Sequence, residues 1–162
     1  MQNVPQIESA RVIPLPLRGG TTVRRPPLDA ERDREFVAML KAFRETGGLA
    51  RGDEVAAQLS QRGTGDVSRL ARWLVSRDAL GFDWRGELWV PMFQFDLGTM
   101  TLRPEATQVA SELAAVFDPW ALSLWFATPN AWLAERLPAE VLAVDADAVF
   151  DAARADRFAV NG

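Results

Sequence analysis

Residues 52–81 read GDEVAAQLSQRGTGDVSRLARWLVSRDALG, and this stretch decides the fold. It predicts a short helix from about Asp53 to Arg62, a turn through Gly63-Thr64-Gly65, and a second helix from Asp66 to about Leu80. Asp66 is a good cap for the second helix, and Gly81 a good stop. Two short helices joined by a tight glycine turn form the outline of a helix-turn-helix. At about 100° per residue, Val67, Leu70, Ala71 and Leu74 fall within one arc, with Arg69, Arg72 and Ser76 opposite and Arg77 at the margin. An apolar back with an Arg/Ser front suits a recognition helix in a DNA major groove, which would put Thr64, Asp66 and Ser68 near phosphates or base edges. The same arginines also describe an ordinary solvated face. Trp73 lies beside them and needs a cover.

The segment that follows is the expected cover. Residues 81–96, GFDWRGELWVPMFQFD, alternate Phe82 and Trp84 with polar neighbours, turn at Arg85-Gly86-Glu87 and resume with Leu88, Trp89 and Val90. Pro91 ends the second strand or confines it to an edge. Upstream, a helix from Asp29 to Gly47-Gly48 carries Phe36, Leu40 and Phe43 on one face. Residues 1–28, with Pro5, Pro14, Pro16, Pro26, Pro27 and Gly19-Gly20, predict a flexible, arginine-rich arm. Residues 29–92 thus read as a winged helix-turn-helix. Downstream, Pro104 opens a helix bearing Val109, Leu113 and Phe117. Asp118-Pro119, Thr128-Pro129 and Pro138 start others, and a last helix turns Val149, Phe150 and Ala153 inward. The expected fold is mainly α: a helix-turn-helix with a β-hairpin wing, then a small helical bundle over residues 93–162.

Composition limits the chemistry. With no His, Cys or Tyr, the chain has no histidine base, no thiol nucleophile, no disulfide and no imidazole or thiolate zinc site. Asp145 with Asp147, and Asp53 with Glu54, are not spaced to face one side of a helix, so a carboxylate enzyme has little support. Gly63 and Gly65 lack the Lys-Ser/Thr ending of a phosphate loop. The sequence therefore predicts no enzyme, cofactor or metal. No apolar run reaches membrane-spanning length and no signal peptide is evident, so the expected compartment is the cytoplasm. Net charge is −4, unevenly divided. Residues 1–92 hold thirteen Arg and Lys41 against twelve acids, whereas residues 93–162 hold four Arg against ten. A slightly basic half joined to an acidic half suggests two different partners.

Residues 119–162, PWALSLWFATPNAWLAERLPAEVLAVDADAVFDAARADRFAVNG, carry a recognisable pattern. Trp125 and Phe126 form an aromatic helix, Pro129, Asn130 and Leu133 a PN-x-x-L junction, and Arg136, Pro138 and Leu142 an Arg-x-Pro step, before a last helix over Val149 to Arg157. This pattern resembles the C-terminal toxin-binding domain of Xre/MbcA/ParS-type antitoxins, and WVPMFQFD before it resembles a link found in one branch of them. The chain departs from the family in having Ala134-Glu135 where Gly-Gly is usual, and in its wing and proline-rich arm. The resemblance implies an antitoxin that silences a cognate toxin, often an NAD-consuming enzyme of the RES type, and represses its own operon; a helix-turn-helix repressor is further expected to be a homodimer, because operators are usually two-fold. Trp125, Phe126, Leu133 and Leu142 are expected in the core. Asn130 at the junction and Trp132, Arg136, Arg154, Arg157 and Phe158 are the residues expected to meet the toxin. The competing reading is an interaction adaptor, or a plain repressor without a toxin.

Overall fold

The structure, a computed structural model, describes residues 27–162. The expected arm lies outside the described residues except for its last two positions, which open a helix instead. That helix, α1 (Pro27–Ala42), starts before the expected cap, so Asp29 sits in its first turn, where a carboxylate complements the helix dipole. Phe36, Met39 and Phe43 are buried, while Leu40, expected on that face, is exposed. Both residues fit a helical repeat with Phe36, and only the packing partner separates them. The chain leaves α1 through a 3-10 turn at Arg44–Thr46 and a left-handed Gly47. A Cβ at Gly47 would stand 2.9 Å from that of Met92, so glycine is required there.

Next come β1 (Leu49–Arg51), α2 (Gly52–Gln61), α3 (Val67–Ser76), β2 (Phe82–Trp84) and β3 (Glu87–Pro91). The strands form an antiparallel sheet in the order β1-β3-β2, with Phe82 opposite Trp89 and Ala50 opposite Val90. β1 had no counterpart in the sequence reading. The two-residue turn at Arg85-Gly86 has φ of 54° and 78°, the left-handed pair that matches strand twist in a tight hairpin. Asp66 caps α3, accepting the Arg69 N–H at 3.0 Å. However, α3 stops at Ser76, where Arg77 turns left-handed at φ 61°, short of the expected Leu80. This early stop lets Ala79 and Leu80 enter the core. Val55, Leu59, Leu70, Val90 and Phe95 pack together beneath the helix-turn-helix.

Trp73 is covered from within the expected segment, by its last residues and not by its hairpin. It packs on Phe95, ring centroids 6.1 Å apart, and carries the Arg69 guanidinium 5.4 Å above its ring. The hairpin instead sends Trp84 to stack on Phe36 at 3.9 Å, and Arg85 to pair with Asp33 at 2.6 Å.

A short antiparallel pair, β4 (Phe95–Asp96) and β5 (Thr101–Leu102), leads into the second half. Backbone N–H groups of Thr99 and Gly98 hold the Asp96 carboxyl below the ordinary aspartate range. Then follow α4 (Pro104–Leu113), α5 (Pro119–Phe126), α6 (Pro138–Val141) and α7 (Ala146–Asn161). Asp118 and Asp145 cap α5 and α7 through their carboxylates. Thr128-Pro129 does not start a helix: Thr128 bonds back to the Leu124 carbonyl at 2.7 Å. The start passes to Asn130, which caps a 3-10 turn at Ala131–Leu133. The protein is thus mainly helical with a small antiparallel sheet. Among the described residues, no helix is long and apolar enough to cross a membrane.

One core runs across both halves. Phe36, Met39 and Phe43 belong to the same buried cluster as Phe93, Phe126 and Val149. Phe93 and Phe126 lie 4.5 Å apart, centroid to centroid. At the seam Gln94, only 3% exposed, accepts the Leu80 N–H at 2.7 Å. Its amide group donates to the carbonyls of Leu80 at 2.7 Å and Pro91 at 2.8 Å.

Candidate functional site

Two surfaces collect the residues singled out in the sequence. The first is the outer side of α3. Ser68, Arg72 and Ser76 are exposed there, but Val67 and Ala71, placed on the apolar back by the helical projection, are exposed as well. The inward residues are Leu70, Trp73 and Leu74: Trp73 meets Phe95, while Val67 and Ala71 border an open groove with Glu87 and Leu88 of β3. Arg69 stays exposed, but beyond its stacking on Trp73 its guanidinium donates to the Thr64 carbonyl. Arg77 reaches across to the Ala114 carbonyl at 3.1 Å, tying α3 to α4. Ser76 bonds Asp78 at 2.7 Å. Of the seven expected DNA contacts, Ser68 and Arg72 face outward with no intramolecular side-chain partner among the described residues. Thr64 and Asp66 shape the turn.

The second surface is built around a carboxylate that the sequence reading did not single out. Asp156, on α7, accepts the Trp125 indole N–H at 2.8 Å and the Asn130 amide at 2.8 Å on one oxygen. Its other oxygen accepts the Trp132 indole N–H at 3.2 Å. Three neutral donors thus converge on one carboxylate from α5 and the loop after it. The readable signal was periodicity: Asp156 falls three residues after Ala153 and seven after Val149, on the inward stripe of α7. An acid on an apolar stripe needs partners, and two tryptophans and an asparagine supply them.

Asn130 organises the loop that carries Trp132. It is buried, its side-chain oxygen accepts the Trp132 N–H at 2.9 Å, and its backbone pairs with Arg136 at 3.1 Å. The chain closes this turn through Ala134 and Glu135 at φ 55° and 60°, both left-handed. These are the positions where a glycine pair would be expected. Each non-glycine residue there costs roughly 1–2 kcal/mol. We therefore expect Ala134→Gly and Glu135→Gly to stabilise the fold by about 0.5–1 kcal/mol each, after the entropy cost of glycine is subtracted. Urea unfolding measures this directly, and unchanged or lower stability would show that the turn is not strained.

Trp132 itself is 68% exposed, although its backbone and its indole N–H are both fixed. Arg136 is exposed beside it, and the expected core residues Phe126, Leu133 and Leu142 are buried. Trp125 is half-buried. Arg154 and Phe158 fall on the opposite side of α7 from Asp156, and line a cleft of about 670 Å³ with Glu112 and Asp151. Arg157 pairs with Glu112 at 2.9 Å in the same cleft. The structure therefore brings Asn130, Trp132 and Arg136 together, and separately Arg154, Arg157 and Phe158. No family model matches the chain, and no curated protein or solved structure matches it.

Proposed function

We propose that the chain is an antitoxin-type protein without catalytic chemistry of its own, acting in the cytoplasm. Residues 93–162 bind and silence a partner toxin, for which the resemblance implies an NAD-consuming enzyme of the RES type. The helix-turn-helix, as a homodimer, binds operator DNA. The observation that carries this reading is Trp132. A tryptophan both exposed and held rigid loses little freedom on association, and this is how interface anchors of about 2 kcal/mol or more are built. The acidic balance of this half suits a basic partner surface.

The test is co-expression with the protein encoded beside this chain. The neighbour alone should arrest growth, and the wild-type chain should restore it by forming a complex. Trp132→Ala should weaken that complex roughly 30-fold with little change in melting temperature. A neighbour that neither binds nor arrests growth sinks the antitoxin reading. A DNA-free adaptor is the second reading, favoured by the intramolecular bonds that already occupy the guanidinium groups of Arg69 and Arg77. Absence of DNA binding even at low salt would select it.

A further inference from the structure

The outer side of α3 bears two parallel rows of residues, each repeating every fourth position. Val67, Ala71 and Val75 form one row, and Ser68, Arg72 and Ser76 the row beside it. All six are exposed, Val67 by 66% and Val75 by 87%. Two exposed valines on one helix face bury nothing in the fold, since the inward stripe of Leu70, Trp73 and Leu74 is already complete. The segment from Val67 to Arg77 contains three arginines and no acid. Asp53 and Glu87, which share a groove with Val67 and Ala71, are both paired with Arg51, at 3.6 and 3.0 Å, and Asp66, next to Val67, is engaged as the helix cap.

The geometry points to operator recognition through thymine methyl groups, contacted by Val67, Ala71 and Val75, with Arg72 reading a guanine alongside. This rests on the DNA-binding half of the proposed function. In the major groove thymine presents a C5-methyl group, the one apolar feature a base pair offers there, and guanine presents two acceptors to an arginine. Successive residues of a row lie about 6 Å apart along the helix, close to the ~6.8 Å covered by two base pairs. A row of three apolar side chains can thus meet methyl groups at about every second base pair, while the neighbouring row meets polar edges.

The experiment selects binding sites for the full chain from a pool of random-sequence duplex DNA. The selected sites are then remade with deoxyuridine in place of thymidine, which removes only the methyl groups. Affinity should fall about fourfold for each contacted thymine, and more than tenfold for two. The double variant Val67→Ala, Val75→Ala keeps only Ala71 within easy reach of a methyl group, so its preference for the thymidine duplex should shrink from more than tenfold to about fourfold or less. Alanine favours the helix more than valine does, so such a result would not reflect unfolding. Equal binding of both duplexes by the wild type overturns the inference while leaving DNA binding intact. Salt-sensitive binding without any enriched sequence also overturns it, leaving phosphate contacts alone. No binding at any salt removes the DNA reading itself. If the valine variant instead changes the oligomeric state in sedimentation, the row is a protein interface and the inference falls.

Discussion

Gln94→Ala lowers stability by about 3–4 kcal/mol, which for a chain of this length shifts the melting temperature down by roughly 10 °C. The glutamine is 3% exposed and serves three backbone groups: the N–H and carbonyl of Leu80 and the carbonyl of Pro91. Alanine leaves them without partners in a place water does not reach, and each buried unsatisfied group costs about 1–3 kcal/mol. Gln94→Glu sharpens the test because its effect depends on pH. A carboxylate still accepts the Leu80 N–H but faces two carbonyl oxygens in a dry site, so burial raises its folded-state pKa. The protonated acid can donate to one of those carbonyls. The deficit of this variant should therefore be smallest at acid pH and grow as pH rises through the folded-state pKa. A loss under 1 kcal/mol for Gln94→Ala, measured by urea unfolding, would show that the seam is held by packing alone.

The second large effect is at Asp156. Asp156→Ala removes the acceptor shared by Trp125, Asn130 and Trp132 and should cost about 3 kcal/mol, because hydrogen bonds to a charged group are worth about 1.5–3 kcal/mol each and the Trp132 bond is partly exposed. Asp156→Asn separates fold from presentation. One amide oxygen can replace the oxygen that holds Trp125 and Asn130, but the amide nitrogen then faces the Trp132 indole, donor against donor. Stability should fall by about 2 kcal/mol, less than with alanine, while Trp132 loses its anchor and partner affinity falls with it. Unfolding curves together with partner titration distinguish the two variants. If Asp156→Asn kept full affinity, the indole bond would have no part in holding Trp132 for a partner.

The helix-turn-helix was legible because its signals are local. The capping Asp66, the glycine turn and the alternating Phe82 and Trp84 each act within a few residues. The hairpin position followed from Arg85-Gly86, where a tight turn needs left-handed backbone. What failed to show was decided at long range. Met39 displaced Leu40 from the core face because the aromatic wall against α1 comes from residues fifty positions later. Val67 and Ala71 share an arc with Leu70 and Leu74, and periodicity does not say which side of that arc meets the sheet. α3 ended early for a similar reason, since burial of Ala79 and Leu80 outweighed continued helix. For the candidate site, the loop residues Asn130, Trp132 and Arg136 were readable as a group, and the absent glycines at 134 and 135 pointed to an unusual turn. Asp156 was not readable from its neighbours, because its three donors lie 24 to 31 residues away.

The core that passes without interruption from α1 to α7 bears on regulation. The ties across it, Arg77 to Ala114 and Thr107 to Asp78, start at the end of α3 and finish on or beside α4, which packs along α7. Under the proposed function, two ligands on one such body are joined by linkage: whatever factor a toxin applied to operator affinity, the operator would apply to toxin affinity. A toxin that loosened the grip on DNA would itself be held less tightly by the DNA-bound form. The ratio of toxin to antitoxin would then set transcription through equilibrium alone, with no separate sensor.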